Sequence, residues 1–268
     1  MPDLFKNKPH PSLREFVKEY WYVYWANSSP TPLSNTPTPE EAICFFPRNL
    51  PFSKVEGEFV KTTDTIIIRQ STTRVDMLIP DDYIMFKIIF QTGGFYKLFG
   101  IPMSLFANGH TETISVLGNS VVELKEQIAN ARNFKEMTSF ADKYLMSEAK
   151  TIKTYQHPID FVINQKSLYQ YSLDRLASDA CLSNRQFERK FFERTGVTPK
   201  LYQRILKFNE AMKIKKRHQS YLGLILLIWL AITTRCTCCV ISNNLRTLRL
   251  QLLISITPLF IKIVAFLL

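Results

Sequence analysis

The segment from residue 172 to residue 212 constrains the fold of this chain more than any other stretch. A first short helix is predicted by four apolar residues at helical spacing, namely Leu173, Leu176, Ala177 and Ala180. Ser183 can cap a second helix that begins at Asn184, because its hydroxyl can accept a backbone N–H of the first turn. Gly196 predicts the end of this second helix, and Pro199 fits the first turn of a third.

The predicted second helix has one apolar and one charged side. Phe187, Phe191 and the aliphatic stem of Arg194 share one face, which predicts that this face is buried. The charged residues that point away from it are Arg185, Glu188, Arg189 and Lys190. Two short helices joined by a tight turn, with arginines on the second, are typical of a helix-turn-helix that places its second helix in the major groove of DNA. A helical bundle with a solvated basic face is the alternative.

The residue types follow a fixed order over about thirty positions, and so long a pattern is specific enough to indicate a protein family. It reads Leu173-x-x-Leu176-Ala177, then Ser183-x-x-x-Phe187-x-Arg189-x-Phe191, then Gly196-x-x-Pro199-x-x-Tyr202. This pattern resembles the AraC/XylS family of bacterial transcription regulators. The resemblance implies two helix-turn-helix units joined by one long helix. Residues 198–217 would then supply the exit of the first unit and the linker helix, with Lys207 where the family usually has Arg.

The resemblance also implies which side chains meet DNA. Arg185, Glu188 and Arg189 would occupy base-facing positions, and Asn184 would lie close to the DNA backbone. With Lys190 these form the predicted DNA-binding set. Glu188 could accept a hydrogen bond from a cytosine amine or orient Arg189, and an ion pair within the helix is the alternative.

Charge supports a polyanionic partner. The chain has 268 residues, a formal net charge of +11 and a pI of about 9.4, which favours nucleic acid or an acidic membrane surface. The length suits two modest domains. The opening residues 1–12 lack the pattern of a signal peptide, so we expect a cytoplasmic protein.

The five cysteines do not form a disulfide framework. Cys44 and Cys181 lie singly in apolar surroundings, so we expect both to be small buried thiols. The other three lack a second ligand cluster at zinc spacing; these are Cys236, Cys238 and Cys239. We therefore expect no metal and no other cofactor.

The first 150 residues predict a β-rich domain. Short strand-like runs separated by turn signals indicate a barrel or sandwich, at residues 42–46, 56–61, 65–69, 74–79 and 83–90. Residues 13–25 suggest a helix that runs into a strand, and the prolines of residues 26–40 predict a loop. Two amphipathic helices should follow at 121–131 and 134–146, and residues 147–157 are the predicted linker.

This half resembles the cupin-like sensor domain of some AraC-type regulators. The resemblance implies that it binds a small-molecule effector or mediates homodimerisation, and that RNA polymerase is a partner if the protein is an activator. An effector pocket would most naturally lie in the aromatic-rich barrel interior. Trp21, Trp25 or Phe95 could line it, and packing of all three in the core is the alternative.

The sequence shows no catalytic constellation, so we do not expect an enzyme. His10 and His110 lack the partners of a cupin metal site and are expected at the surface or hydrogen-bonded. Gly93-Gly94 predicts a sharp turn, because no phosphate-binding pattern accompanies it. Asp81-Asp82 predicts a polar turn.

Residues 219–268 contain no Asp or Glu, although the family resemblance implies a second helix-turn-helix there. We hypothesise that this tail is an out-of-frame translation of that unit. In the shifted frame, residues 222–248 permit WLDIAHLAGYYDQMHLLRDFKQFADV, which resembles the family's second unit. The apolar run at 221–232 is only about half of the roughly 20 residues of a helical span. The alternative is a membrane anchor at 250–268 with basic flanks Arg246 and Arg249, where the apolar run is nearly long enough but is interrupted by Pro258 and Lys262.

The predicted fold class is therefore α+β, with three parts. These are a β-rich cupin-like domain at 1–150, an all-α helix-turn-helix domain at 158–218 and an irregular apolar tail at 219–268. The predicted function is sequence-specific binding to an operator or promoter in double-stranded DNA, impaired in the chain as written. A membrane-associated sensor anchored by its tail is the alternative, and a small-molecule enzyme comes last.

Overall fold

The computed structural model describes residues 2–26, 29–106, 110–151, 157–165 and 168–217. Over these ranges the chain is α+β, because a β-rich N-terminal region is followed by helices, as the sequence predicts. Residues 1–210 form one compact unit. A second unit begins at residue 211, and its described part is the end of the last helix. The three-part division inferred from the sequence stays a prediction.

Two antiparallel sheets build the N-terminal region. In spatial order the six-stranded sheet contains β1 (Asp3–Asn7), β2 (Val17–Trp25), β9 (Tyr83–Phe90), β4 (Ala42–Phe45), β7 (Thr65–Ile68) and β10 (His110–Glu112). The four-stranded sheet contains β3 (Thr31–Asn35), β8 (Val75–Ile79), β5 (Phe52–Val55) and β6 (Glu58–Lys61).

The central strand β4 is buried on both faces. Ile43 and Phe45 belong to the apolar core that also contains helix residues such as Leu145. Ala42 and Cys44 belong to a second apolar core on the other face of the sheet. Alternate side chains of a strand point to opposite faces, so a run of four buried apolar residues is expected where both faces are covered.

Eight α-helices complete the described fold. They are α1 (Gly94–Phe99), α2 (Thr113–Leu117), α3 (Ser120–Ala129), α4 (Phe134–Thr151), α5 (Pro158–Val162), α6 (Leu173–Asp179), α7 (Asn184–Thr195) and α8 (Pro199–Arg217). The last three match the predicted helices of the 172–212 segment. Among these helices none is both long and apolar enough to cross a membrane.

Several predicted boundaries differ from the structure, and in three places the kind of element differs as well. Residues 13–25 do not begin as an α-helix, because a 3₁₀ turn at Pro11–Leu13 leads into β2. The predicted loop at 26–40 contains β3, which tolerates Pro32 because it is an edge strand. The predicted linker at 147–157 begins inside a helix, since α4 continues to Thr151.

The two isolated cysteines differ in their exposure to solvent. Cys44 is buried, as predicted. The prediction for Cys181 is wrong, because its side chain is exposed. Cys181 has φ of 53° in the tight turn after α6, so the residue serves the turn and not the core. The tail, with its three cysteines and the frameshift and membrane-anchor hypotheses, lies outside the described residues.

Candidate nucleic-acid interface

Two capped helices and a tight turn form the predicted helix-turn-helix. The Ser172 hydroxyl caps α6 by accepting the Arg175 N–H at 3.3 Å. Ser183 caps α7 in the same way with Gln186, whose side chain accepts the Ser183 N–H at 3.1 Å to complete a capping box. The intervening turn is held by the Leu182 N–H, which donates to the Ala177 carbonyl at 2.9 Å.

An aromatic core holds α7 against its neighbours. The ring centroids of Phe187 and Phe191 are 5.7 Å apart, and the Tyr202 ring of α8 lies 5.5 Å from Phe191. Around them pack buried residues of α5, α6 and the following loops, including Ile159, Val162, Leu168, Leu176, Ala177, Ala180 and Val197. The orientation of α7 is therefore fixed by its apolar face, as the sequence predicts.

The opposite side of α7 faces solvent. Arg185, Glu188 and Arg189 are exposed, and Lys190 is half-buried. Glu188 forms no ion pair with any residue that the structure describes, so the salt-bridge alternative is not seen there. The exposed Asn184 is tied to α6 because its Nδ2 donates to Asp174 Oδ1 at 2.5 Å.

Arg194 has a different role from the other cationic residues of α7. Its side chain is only 6% exposed and forms an ion pair with Asp160 of α5. Its guanidinium lies 4.9 Å from the centre of the Tyr96 ring of α1. Its Nη1 donates to the Lys190 carbonyl at 3.3 Å. The sequence indicated that the stem is buried, but not that the charge is buried with it.

Side chains of the β-rich region bond directly to the helix-turn-helix. Arg69 Nη1, at the end of β7, donates to the Gly196 carbonyl at 2.7 Å. The hydroxyls of Thr92 and Tyr202 share a hydrogen bond at 2.8 Å, and Asn164 Nδ2 donates to the Thr92 carbonyl at 3.1 Å. The first bond joins the end of α7 to the end of β7, and the other two join α8 and the end of α5 to the turn before α1.

That turn contains the predicted Gly93-Gly94 pair, and the prediction of a sharp turn is confirmed. Gly93 has φ of 70°, and a Cβ there would approach Ile163 Cδ1 to 2.7 Å. The Gly93 N–H donates to Glu41 Oε1 at 2.9 Å, and Gln70 Nε2 donates to the same oxygen at 2.6 Å.

Glu41 is a buried carboxyl group that sequence analysis missed. Its exposure is 1%, and burial raises the pKa of the carboxyl from the usual 4.5 to about 8, although its hydrogen bonds oppose the shift. The only local signal was an acidic residue placed directly before the apolar strand β4. Its partners Gln70 and Gly93 lie 29 and 52 residues away in the chain.

A cleft of about 550 Å³ lies beside this junction. It is lined by the turn before α1, by the α5 region with His157 and Phe161, and by nearby charged side chains, among them Arg14 and Lys97. Trp21, Trp25 and Phe95 do not line it. Phe95 is fully buried in the larger core, and the two tryptophans are half-buried on β2. The cleft is thus not the aromatic barrel interior expected for an effector.

The remaining candidate groups have structural partners. The exposed His10 lies 2.8 Å from the Ser12 hydroxyl through Nδ1. Asp82 has φ of 44° in the turn after β8 and pairs with Arg48, so a polar turn is confirmed. Within the described ranges, no group of three or more His, Cys, Asp or Glu side chains is arranged to hold a metal ion.

Comparison with known proteins gives limited matches. Residues 6–112 match a family model described as a domain of unknown function (DUF6597), which is less than half of the chain and spans the strands of both sheets. The comparison with curated proteins gave no match.

Solved structures of two other proteins overlap most of the chain at low similarity. ToxT from Vibrio cholerae is 11% identical with a TM-score of 0.38, covering 86% of this chain and 88% of ToxT. A ToxT structure with bound unsaturated fatty acid is 10% identical with a TM-score of 0.37, covering 80% of this chain and 86% of ToxT. The AraC-like transcriptional activator CuxR is 9% identical with a TM-score of 0.25, covering 78% of this chain and 86% of CuxR. Overlap this weak carries no argument about function.

Proposed function

We propose that the protein is a transcription regulator of the AraC/XylS type that binds duplex DNA through α7. One observation carries the proposal: α7 is the second helix of a capped helix-turn-helix, and its residues Arg185 and Arg189 are exposed opposite a fully buried aromatic face. Arginine is the side chain best suited to guanine edges and phosphates in the major groove. The formal charge of +11 favours the same partner.

The exposed side chains of α7 divide by expected role. Arg185 and Arg189 are placed one helical turn apart, so they can reach neighbouring base pairs. Glu188, free of ion pairs with described residues, is available to accept from a cytosine amine. Asn184, at the N-terminal end of α7, and Lys190, which is half-buried, are better placed for the DNA backbone.

Duplex selection tests this proposal. Duplexes are selected from a random library with the full chain, and dissociation constants are measured by fluorescence anisotropy at two salt concentrations. Arg189→Ala should weaken binding by about tenfold and relax the preference at one base pair, as expected for a lost base contact. Arg132→Ala is the matched control, because Arg132 is an exposed arginine in the turn before α4.

The comparison of the two variants distinguishes base-specific contacts from non-specific attraction between charges. Arg132→Ala should reduce affinity little and leave the selected sequence unchanged. Equal losses from Arg189→Ala and Arg132→Ala, with no change of preferred sequence, would show that only net charge attracts DNA and would refute the proposed interface.

For the rest of the chain we propose the organisation that the sequence suggests. Residues 1–150 would be a cupin-like sensor or dimerisation domain, 158–218 the first helix-turn-helix with its linker helix, and 219–268 an out-of-frame remnant of the second unit. The partners would be a small-molecule effector, a second copy of the chain and, in an activator, RNA polymerase. The β-rich fold of the first part and the capped helices of the second support this organisation.

The loss of one DNA-binding unit should weaken binding. Each unit supplies phosphate contacts, and affinity falls steeply with their number at physiological salt. Two experiments test this frameshift proposal. The first sequences the gene across codons 218–224, and the second compares the DNA affinity of the chain with that of a frame-restored version by gel shift. If the printed chain binds as tightly as the restored one, or if the shifted frame does not encode a second unit, the frameshift proposal fails.

A further inference from the structure

The solvent-facing ridge of α7 ends in an aromatic residue. Arg185, Arg189 and Phe192 follow one another at spacings of four and three residues, so their side chains lie in one row along the helix. The row is on the side away from Phe187 and Phe191, which are fully buried. Phe192 thus extends the arginine pair that the proposed function assigns to DNA.

Phe192 is not part of the core that its neighbours build. Its exposure is 42%, whereas Phe191, the preceding residue, is fully buried and meets the Tyr202 ring edge to face. No ring of the described chain lies in aromatic contact with Phe192. A lone exposed apolar residue needs no explanation in general. Its place in the arginine row is what makes this one informative.

The major groove offers a specific partner for such a ring. Each thymine presents its C5 methyl group there, and apolar side chains read thymine through contact with that methyl. The rise from residue 189 to residue 192 is about 4.5 Å along the helix axis. That rise is close to the spacing of about 3.4 Å between base pairs. A base read by Arg189 and a methyl touched by Phe192 would therefore be near neighbours.

We propose that Phe192 is a specificity-determining residue that contacts the methyl group of a thymine one or two base pairs from the base read by Arg189. The proposal rests on the proposed function and adds an apolar contact to it. The flanking arginines supply the charge complementarity with DNA, while Phe192 distinguishes thymine from bases that lack the methyl group.

Uracil substitution isolates that methyl group. Duplexes selected with the full chain are resynthesised with each thymine replaced in turn by deoxyuridine, which removes only the methyl. For the unsubstituted protein, one position should lose about fourfold in affinity, as expected for burying one methyl-sized group. Phe192→Ala should bind the thymine and uracil duplexes equally. Phe192→Leu, which keeps an apolar side chain, should retain part of the difference and guards against misfolding of the alanine variant.

Phe161→Ala is the matched control, because Phe161 is another exposed phenylalanine, at 78%, and lies on α5. It should keep the full difference between thymine and uracil. If Arg189→Ala weakens binding but Phe192→Ala keeps the thymine preference, this proposal fails and the proposed function stands. If no duplex is selected at any salt concentration with the printed chain or with its frame-restored version, both proposals fail.

Discussion

Asp160 and Arg194, 34 residues apart in the chain, form an ion pair that is largely withdrawn from water and joins α5 to α7. The Asp160 side chain is 16% exposed and that of Arg194 is 6% exposed. Asp160 also accepts the His157 N–H at 3.2 Å, so one carboxylate both caps α5 and anchors α7. The proposed DNA-reading helix thus depends on a charge pair on its far side.

Arg194→Met should destabilise the fold because it leaves the Asp160 charge buried without its partner. Breaking a buried pair in this way costs about 3–5 kcal/mol, and the partial exposure of Asp160 points to the lower end of that range. Urea unfolding at pH 7 measures the change in the free energy of unfolding. Arg185→Met is the matched control on the solvent side of α7 and should change it by less than about 0.5 kcal/mol. A similar loss from both variants would contradict the prediction.

Gly196→Ala should cost more than Gly100→Ala. Both glycines end helices with positive φ, at 71° and 69°, so alanine strains each backbone by about 1–2 kcal/mol. A Cβ at Gly196 would also lie 2.7 Å from the Met103 carbonyl oxygen, whereas one at Gly100 meets nothing within 4 Å.

We expect a further loss of about 1–3 kcal/mol for Gly196→Ala from this steric overlap. The difference between the two variants in thermal or urea unfolding isolates it from backbone strain. Equal losses would mean that the chain has room at the end of α7.

Glu41→Gln should change how stability depends on pH. Because the folded pKa of Glu41 is about 8 and the usual value is 4.5, the folded protein keeps a proton that the unfolded chain loses. This group's stabilisation is therefore complete below about pH 4.5 and is lost as pH rises to about 8. Glutamine does not titrate, so the variant should lack this decline in the free energy of unfolding, which amounts to at most about 1.4 kcal/mol per pH unit.

Urea unfolding at several pH values between 5 and 9 tests whether the free energy of unfolding falls as pH rises. Glu188→Gln, on the exposed face of α7, should keep the slope of the unsubstituted protein. If Glu41→Gln shows that same slope, the buried carboxyl does not titrate as described.

Ser183→Ala should weaken the helix-turn-helix modestly. The variant loses the hydroxyl that accepts the Gln186 N–H, which costs about 1 kcal/mol for a typical N-cap. Ser178→Ala, at an exposed position within α6, should have little effect or be slightly stabilising. Thermal unfolding of the two variants measures the difference, and an unchanged midpoint for Ser183→Ala would contradict the capping role.

Local signals explain why α6, α7 and α8 could be predicted closely. Ser183, Gly196 and Pro199 each act on the backbone within a few residues of themselves, so their effect is visible in a short stretch of sequence. The strands β4 and β9 were predictable for a similar reason, because long apolar runs indicate strands covered on both faces.

Long-range partners explain what the sequence did not reveal. β1 was missed because all five of its residues are exposed and show no apolar alternation. The roles of Glu41 and Arg194 depend on partners 29 to 52 residues away, which periodicity cannot identify. Cys181 has apolar neighbours in the sequence, which suggested burial, but the backbone of the turn after α6 directs its side chain into solvent.

The bonds between the β-rich region and α7 and α8 also bear on how the chain can be cut for study. A fragment starting at residue 157 would remove Thr92 from the buried Tyr202 hydroxyl, Tyr96 from Arg194 and Arg69 from the Gly196 carbonyl. The Tyr202 hydroxyl and the Gly196 carbonyl would then face water or lie unpaired, and Arg194 would keep Asp160 but lose the ring beside its guanidinium. The isolated helices would therefore be less stable than the same helices in the full protein, and truncation would perturb the surface it was meant to isolate.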